Sequence, residues 1–367
     1  MKSYCKGMEI TKDIVAASYD EWVSGKAGKK NAHRVSKEHG SAQELICEIV
    51  REIRGRSLST RPISYRTRRE PNHGKERLIA VESVKQQVLD YTAVHCLRGL
   101  ISARLGYYQA SSVAGKGQVW LSRRIRRWSG ECRYFVKTDF RKCYPSTRVD
   151  AVMRMLRKYV RSEDVLYLCE YLLGTYQDMQ GTDGVAADGR KRGLNIGSYF
   201  SLMVELLVLS FAYHFIEGLY KERRGTRTPL ARHQAWFMDD CVMFGNSKRD
   251  LKTAARKMGA YMRLEFGLVL KPWKVCKLTG KDGSERVEMA GYSTDGKTLV
   301  VSEGTFMRLR RAYRRVFSNP NVARRACSYW GWLKHSDSWR FVKANGIRKA
   351  MRLARKTVSA EDRRAYA

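Results

Sequence analysis

The chain has 367 residues, with 71 Lys and Arg against 36 Asp and Glu, for a formal charge of +35 at pH 7. At 43% hydrophobic residues it can bury a real core, which excludes a disordered basic tail, and a charge of this size disfavours an enzyme of small neutral metabolites. Nucleic acid is the polyanion expected to balance that charge. No membrane partner is expected: the N-terminus lacks a secretory apolar run, and no stretch approaches about 18 uninterrupted apolar residues. A cytoplasmic location is the matching expectation. Nine cysteines without a C-x-x-C pair predict reduced, mostly buried thiols, with neither a disulfide framework nor a zinc ribbon.

Along the chain, residues 1 to 60 alternate charged and apolar positions at helical spacing and predict helices. Residues 62 to 81 predict two short basic strands around a turn at Pro71-Asn72-His73-Gly74. A helix over about 84 to 105 follows, then a Gly-broken loop and a basic helix carrying Arg123, Arg124, Arg126 and Arg127, an ordinary solvated face. Gly115-Lys116-Gly117 lacks the spacing of a phosphate-binding P-loop. Tyr134 to Phe140 has strand composition and ends at a polar elbow where Pro145 is expected to stop it. Helical segments run to Tyr176, a Gly/Asp-rich loop follows, and Ser198 to about Tyr220 predicts a central buried helix. His233 to Ser247 reads as strand, two aspartates, strand: a hairpin with carboxylates at its tip. An amphipathic helix precedes short strands within 268–275, 287–293 and 298–302. From residue 301 onward, 17 Lys and Arg stand against 4 Asp and Glu among interspersed aromatics, which predicts a separate basic helical domain whose Trp330, Trp332 and Trp339 form its own small core.

Asp139 at one strand end and Asp239-Asp240 at the hairpin tip are three carboxylates that could converge. A bare Asp-Asp pair usually makes a turn. Here apolar strands flank it on both sides, and adjacent carboxylates repel without a cation. Mg²⁺ takes oxygen ligands, typically one or two carboxylates plus substrate phosphates, and two such ions about 3.5 to 4 Å apart can serve nucleotidyl transfer beside a basic groove.

Phe237-Met238-Asp239-Asp240 resembles the tyrosine-x-aspartate-aspartate box of reverse transcriptases, with Phe in place of Tyr, and the segment from Asp139 to Ser146 resembles their first aspartate motif. Further segments resemble family motifs in the family's order: Gly74 to Ile79 the fingers strand, Gly193 to Ser201 the motif under template and nucleotide, Gly267 to Lys274 the lysine-bearing motif, and Met289 to Tyr292 the primer grip. The resemblance covers roughly residues 62 to 345. It implies an α+β right-hand polymerase: N-terminal helices and fingers over 1–130, a ferredoxin-like antiparallel palm over 131–300 with a fingers-like insertion at about 175–232, and an α-helical thumb over 301–367.

The resemblance also implies roles. Asp139, Asp239 and Asp240 would be catalytic and, with the Phe140 carbonyl, would hold two Mg²⁺ ions, for which Mn²⁺ can substitute. Lys75, Arg77, Tyr144, Ile196, Gly197 and Lys274 would bind the nucleotide. Tyr144 stands at the position that excludes a ribose 2′-hydroxyl, so deoxynucleotides are the expected substrate. Phe237, Met238, Ser201, Gly291 and Tyr292 would touch primer or template.

Most of the family has glutamine where Ile196 stands. An apolar residue there resembles the error-prone enzymes of diversity-generating retroelements, yet Leu202 departs from their pattern and antiphage-defence reverse transcriptases remain equally open. The implied partners are an RNA template, a DNA or RNA primer, deoxynucleoside triphosphates, a noncoding or template-repeat RNA and, for the diversity-generating branch, an accessory protein. No DNA-cutting module or RNase H appendage is evident, and a decayed RNA-binding scaffold is the reading of a different class.

Overall fold

The computed structural model describes residues 3–69, 76–182, 184–278 and 285–366. The protein is 54% helical and 16% strand, with small antiparallel sheets, a mixed α and β architecture. Its contacts divide it into two units, each discontinuous in sequence. The first comprises residues 1–106, 140–216 and 257–271; the second comprises 107–139, 217–256 and 272–367.

The first unit begins with α1 (Lys12–Ser24), α2 (Lys26–Asn31), α3 (His33–His39) and α4 (Ala42–Arg54). Ser41 caps the start of α4: its hydroxyl accepts from the Glu44 amide at 3.1 Å and donates to the Glu44 carboxylate at 2.9 Å. Leu45, Ile46, Ile49, Val50 and Ile53 then line one buried face at helical spacing. Strands β1 (Ser64–Arg69) and β2 (Glu76–Val81) pair antiparallel, as expected; the expected turn between them lies outside the described residues. Helix α5 (Val84–Arg104) is buried along most of its length. The unit continues with the one-turn α7 (Cys143–Ser146), α8 (Val149–Tyr159), α9 (Glu163–Thr175) and α10 (Tyr199–Glu217). Helix α10 is apolar and long enough to cross a membrane by composition alone, but Phe200, Val204, Leu207 and Val208 are buried in the unit's own core, which matches the expectation of a central helix.

The second unit holds α6 (Gln118–Glu131) and a four-stranded antiparallel sheet of β3 (Tyr134–Thr138), β6 (His233–Phe237), β7 (Asp240–Gly245) and β8 (Val275–Lys277), in the order β6-β7-β3-β8. Taken in chain order these strands lie 2-3-1-4, so β3 enters the middle of the sheet beside β7. Phe135, Ala235, Val242 and Phe244 from the sheet pack with Leu121, Ile125 and Trp128 of α6 in one core. A second sheet, β11-β10-β9, uses β9 (Val287–Met289), β10 (Tyr292–Thr294) and β11 (Leu299–Val301). The C-terminal helices α12 (Glu303–Arg315), α13 (Ala323–Lys334), α14 (Trp339–Ala344) and α15 (Ile347–Tyr366), with a 3₁₀ turn at Pro320–Val322, enclose their own cluster around Leu309, Tyr313, Ala326, Leu333 and Met351. The division between units falls within α11 (Lys248–Phe266).

Several local expectations differ from the structure. The strand before the polar elbow ends at Thr138, and Pro145 lies inside α7, which Lys142 initiates from a left-handed backbone at φ 47°. Residues 268–274 form no strand beyond a single bridge of Leu270 to Phe140, because Pro272 has no amide to donate; the strand starts at Val275. Residues 287–294 are two strands, not one, turned at Ala290-Gly291, both left-handed. Trp330 and Trp332 pack against the C-terminal cluster, whereas Trp339 is 65% exposed. A further hairpin, β4 (Tyr220–Arg223) and β5 (Thr226–Pro229), was not foreseen.

Candidate active site

The β6–β7 hairpin closes through Phe237 opposite Asp240, leaving Met238 and Asp239 as its two turn residues. Met238 takes φ 54°, the left-handed conformation a two-residue turn of this kind requires. Residues 108–110 brace the outer side of β6: Ala110 donates to the Trp236 carbonyl and Trp236 to that of Tyr108, each at 3.0 Å. The Ser111 hydroxyl lies 2.7 Å from the Met238 sulfur. The tip that carries the aspartates is therefore held from below and from the side.

Strand β3 pairs with β7 from Tyr134–Gly245 to Thr138–Cys241, so the next step of the same register sets Asp139 beside Asp240. Asp139, Asp239 and Asp240 are all half-buried at the end of the sheet, where water still reaches them. Lys137 Nζ lies 3.4 Å from Asp240 Oδ1, a loose ion pair with both side chains more than a third or close to a third exposed. The backbone thus gathers the three carboxylates at one sheet end. Their side chains do not yet form a group of three or more His, Cys, Asp or Glu ligands, nor does any other set among the described residues. The donor chemistry suits a hard cation: carboxylate oxygens accessible to water.

Phe237, Lys274, Gly291 and Tyr292, also predicted from the sequence, belong to the same unit. Phe237 packs against the sheet core. The Lys274 ammonium pairs with the exposed Glu285 carboxylate, whose hydrogen bond raises the lysine above its ordinary range. Gly291 has φ 78°, and a Cβ there would come within 2.3 Å of the Trp332 ring. Tyr292 is buried and stacks at a tilt on Trp332, with ring centroids 4.9 Å apart.

The first unit holds the remaining predicted residues. Ala80 of β2 donates to the Ile196 carbonyl at 2.8 Å, and Leu194 donates to the Tyr144 carbonyl at 2.8 Å, so the 194–197 loop is stitched to both β2 and α7. Gly197 has φ 115°, and a Cβ would meet the Ala80 carbonyl at 2.9 Å; glycine is needed for this approach. Tyr144 and Ile196 are half-buried and Gly197 is exposed. Arg77 lies exposed on β2 directly across from Arg68. Phe140 is buried and bridges to Leu270. Ser201 is fully buried and accepts from the Asn195 amide at 3.0 Å, which makes it a brace of the loop. Lys75 lies outside the described residues.

Sequence reasoning missed a buried acidic pair under this loop. Asp90 of α5 is fully buried; its Oδ2 accepts from the Ser198 hydroxyl at 2.5 Å and from the Phe200 amide at 3.1 Å, capping α10. The Tyr176 hydroxyl reaches the Ser198 hydroxyl at 3.0 Å, and the Ser201 amide donates to it at 3.1 Å. Glu82 lies beside Asp90. Burial, then the charge of Asp90, pushes its carboxyl far above the ordinary range, and burial also raises Asp90 against the pull of its hydrogen bonds. At neutral pH a proton therefore resides on this pair. A lone Asp within the apolar pattern of α5 was the only sign of it in the sequence.

No protein-family model matches the chain, and no curated protein matches it.

Proposed function

We propose that the protein is an RNA-directed DNA polymerase acting at Asp139, Asp239 and Asp240. The observation that carries this reading is the register of β3 against β7, which brings the first aspartate alongside an aspartate pair presented on a two-residue turn. The 2-3-1-4 strand order agrees with a ferredoxin-like palm, and the basic C-terminal helices agree with a thumb that grips phosphate. Asp139, Asp239 and Asp240 would hold Mg²⁺, or Mn²⁺ in its place, and the bound ions would supply activation of the primer 3′-hydroxyl and charge neutralisation at the triphosphate.

In this reading the exposed Arg77, with Arg68 opposite it on the ladder, meets triphosphate charge. The Tyr144 ring excludes a ribose 2′-hydroxyl. An apolar Ile196 in place of a polar contact agrees with low fidelity, so copying of a template-repeat RNA in a diversity-generating system is the favoured context, with defence-associated copying of a noncoding RNA as its rival.

A second class of reading, an RNA-binding scaffold with a decayed site, draws on the absence of a three-ligand group among the described residues. Primer extension on an RNA template with Mg²⁺ decides between them. The wild-type protein should incorporate deoxynucleotides, and Asp239→Asn/Asp240→Asn should lose at least about a thousandfold in rate, several kcal/mol of transition-state stabilisation. Synthesis retained by the double variant would sink the polymerase reading.

A further inference from the structure

The β4–β5 hairpin belongs to neither set of residues discussed above. All eight of its strand residues are exposed, so no layer covers either face. Its two-residue turn is Arg224-Gly225, both left-handed, with φ 49° and 71°. The base is anchored: Leu230 donates to the Leu219 carbonyl at 2.9 Å, both leucines are buried, and Lys221 pairs with Asp250 in the first turn of α11. A two-stranded ribbon that buries nothing gains little from packing, so its side chains are not accounted for by the fold.

Those side chains are nearly all cationic. The hairpin carries Lys221, Arg223, Arg224 and Arg227, and the start of α11 adds the exposed Lys248, Arg249 and Lys252. Two carboxylates stand against these seven cations: Asp250 is engaged by Lys221, and Glu222 sits across the ladder from Arg227. The Arg227 guanidinium lies 4.1 Å over the ring of Tyr220, which is 42% exposed, and together they form a flat cationic surface at the hairpin base. Tyr220 and Pro229 are the only residues on the two strands with any apolar bulk, too little to enter a lipid interface.

We propose that the β4–β5 hairpin, with the first turns of α11, is a docking arm for the phosphodiester backbone of a nucleic-acid strand, separate from the carboxylates. Arg223 and Arg224 meet phosphates at the tip. The Tyr220–Arg227 pair offers a face to an unstacked base.

The test uses the full chain and short fluorescent RNA and DNA strands of one sequence, titrated by anisotropy without nucleotide or divalent metal, so the result stands apart from catalysis. Arg223→Gln/Arg224→Asn/Arg227→Gln alters only exposed positions, and Asn tolerates the left-handed backbone at 224. Between about 50 and 200 mM salt, the variant should bind more weakly, with a log–log salt slope shallower by roughly 1.4, as expected when the two phosphate contacts of Arg223 and Arg224 are lost. Lysine at the same three positions should restore the slope. Loss with RNA, DNA or both upholds the arm and names the strand. An unchanged slope in a variant with wild-type circular dichroism overturns it, as does hairpin-dependent binding to anionic vesicles with nucleic-acid affinity intact.

Discussion

Two pairs of acids in this protein have opposite environments. Asp239 and Asp240 stand at an open sheet end, half-exposed, with Lys137 3.4 Å from Asp240. Glu82 and Asp90 are 5% and 0% exposed and share a proton among hydroxyls and amides. Water reaches the first pair, where solvent screens the repulsion between adjacent carboxylates. Burial forces the second pair toward neutrality, and a neutral acid is a hydrogen-bonding strut. The buried pair is therefore a strut within the fold, whereas the hairpin-tip pair stays open to solvent.

The largest effect that would sharpen this contrast is on folding. Asp90→Ala leaves the Ser198 hydroxyl and the Phe200 amide without their acceptor and opens a cavity, so it should cost about 3 kcal/mol and lower the melting temperature by roughly 5 °C or more. Calorimetry reads this directly, and an unchanged melt would show the strut to be dispensable.

Smaller, and specific to the proton, is Glu82→Gln. Because the folded carboxyl titrates above its unfolded value, the native state holds a proton that the unfolded chain releases. Its contribution is full below the ordinary carboxylate range and is lost as pH rises through the raised folded value. Wild-type urea midpoints should therefore fall as pH rises from the ordinary carboxylate range into the alkaline range. Gln, a permanent neutral mimic, should flatten that decline and change stability in mild acid by only about 1 kcal/mol. An equal pH slope in both proteins would place the proton elsewhere.

Smallest is the thermal effect of Asp239→Asn/Asp240→Asn. Removing repulsion at an exposed tip should leave the melt within about 0.5 kcal/mol of wild type or slightly above it. A loss comparable to that of Asp90→Ala would make the pair structural and break the comparison.

The hairpin tip was legible because it is local: apolar runs either side of two aspartates specify strand, turn and strand within a dozen residues. The α4 face and the buried α10 were legible for the same reason, one period or one long apolar run. The acid pair was not, because Asp90 meets Ser198 across 108 residues and nothing in either segment announces the other. The β4–β5 hairpin escaped notice because strands exposed on both faces carry no alternation to read. Trp339 was misread as core because an aromatic in a helical pattern looks the same whether or not the fold covers it.

The turn at Gly291 has a mechanical consequence. The Trp332 ring occupies the space a Cβ would take, and nearby the Asp337 carboxylate accepts from the Leu299 amide at 2.8 Å while the Asp337 amide returns a bond to the Leu299 carbonyl at 2.7 Å. Helix α13 and the β9–β11 sheet are thus joined as a hinge pin is joined to its plate: torque on the C-terminal helices passes into the Ala290-Gly291 turn. Severing the chain before Glu303 would part the Trp332 ring and the Asp337 carboxylate from the sheet that seats them.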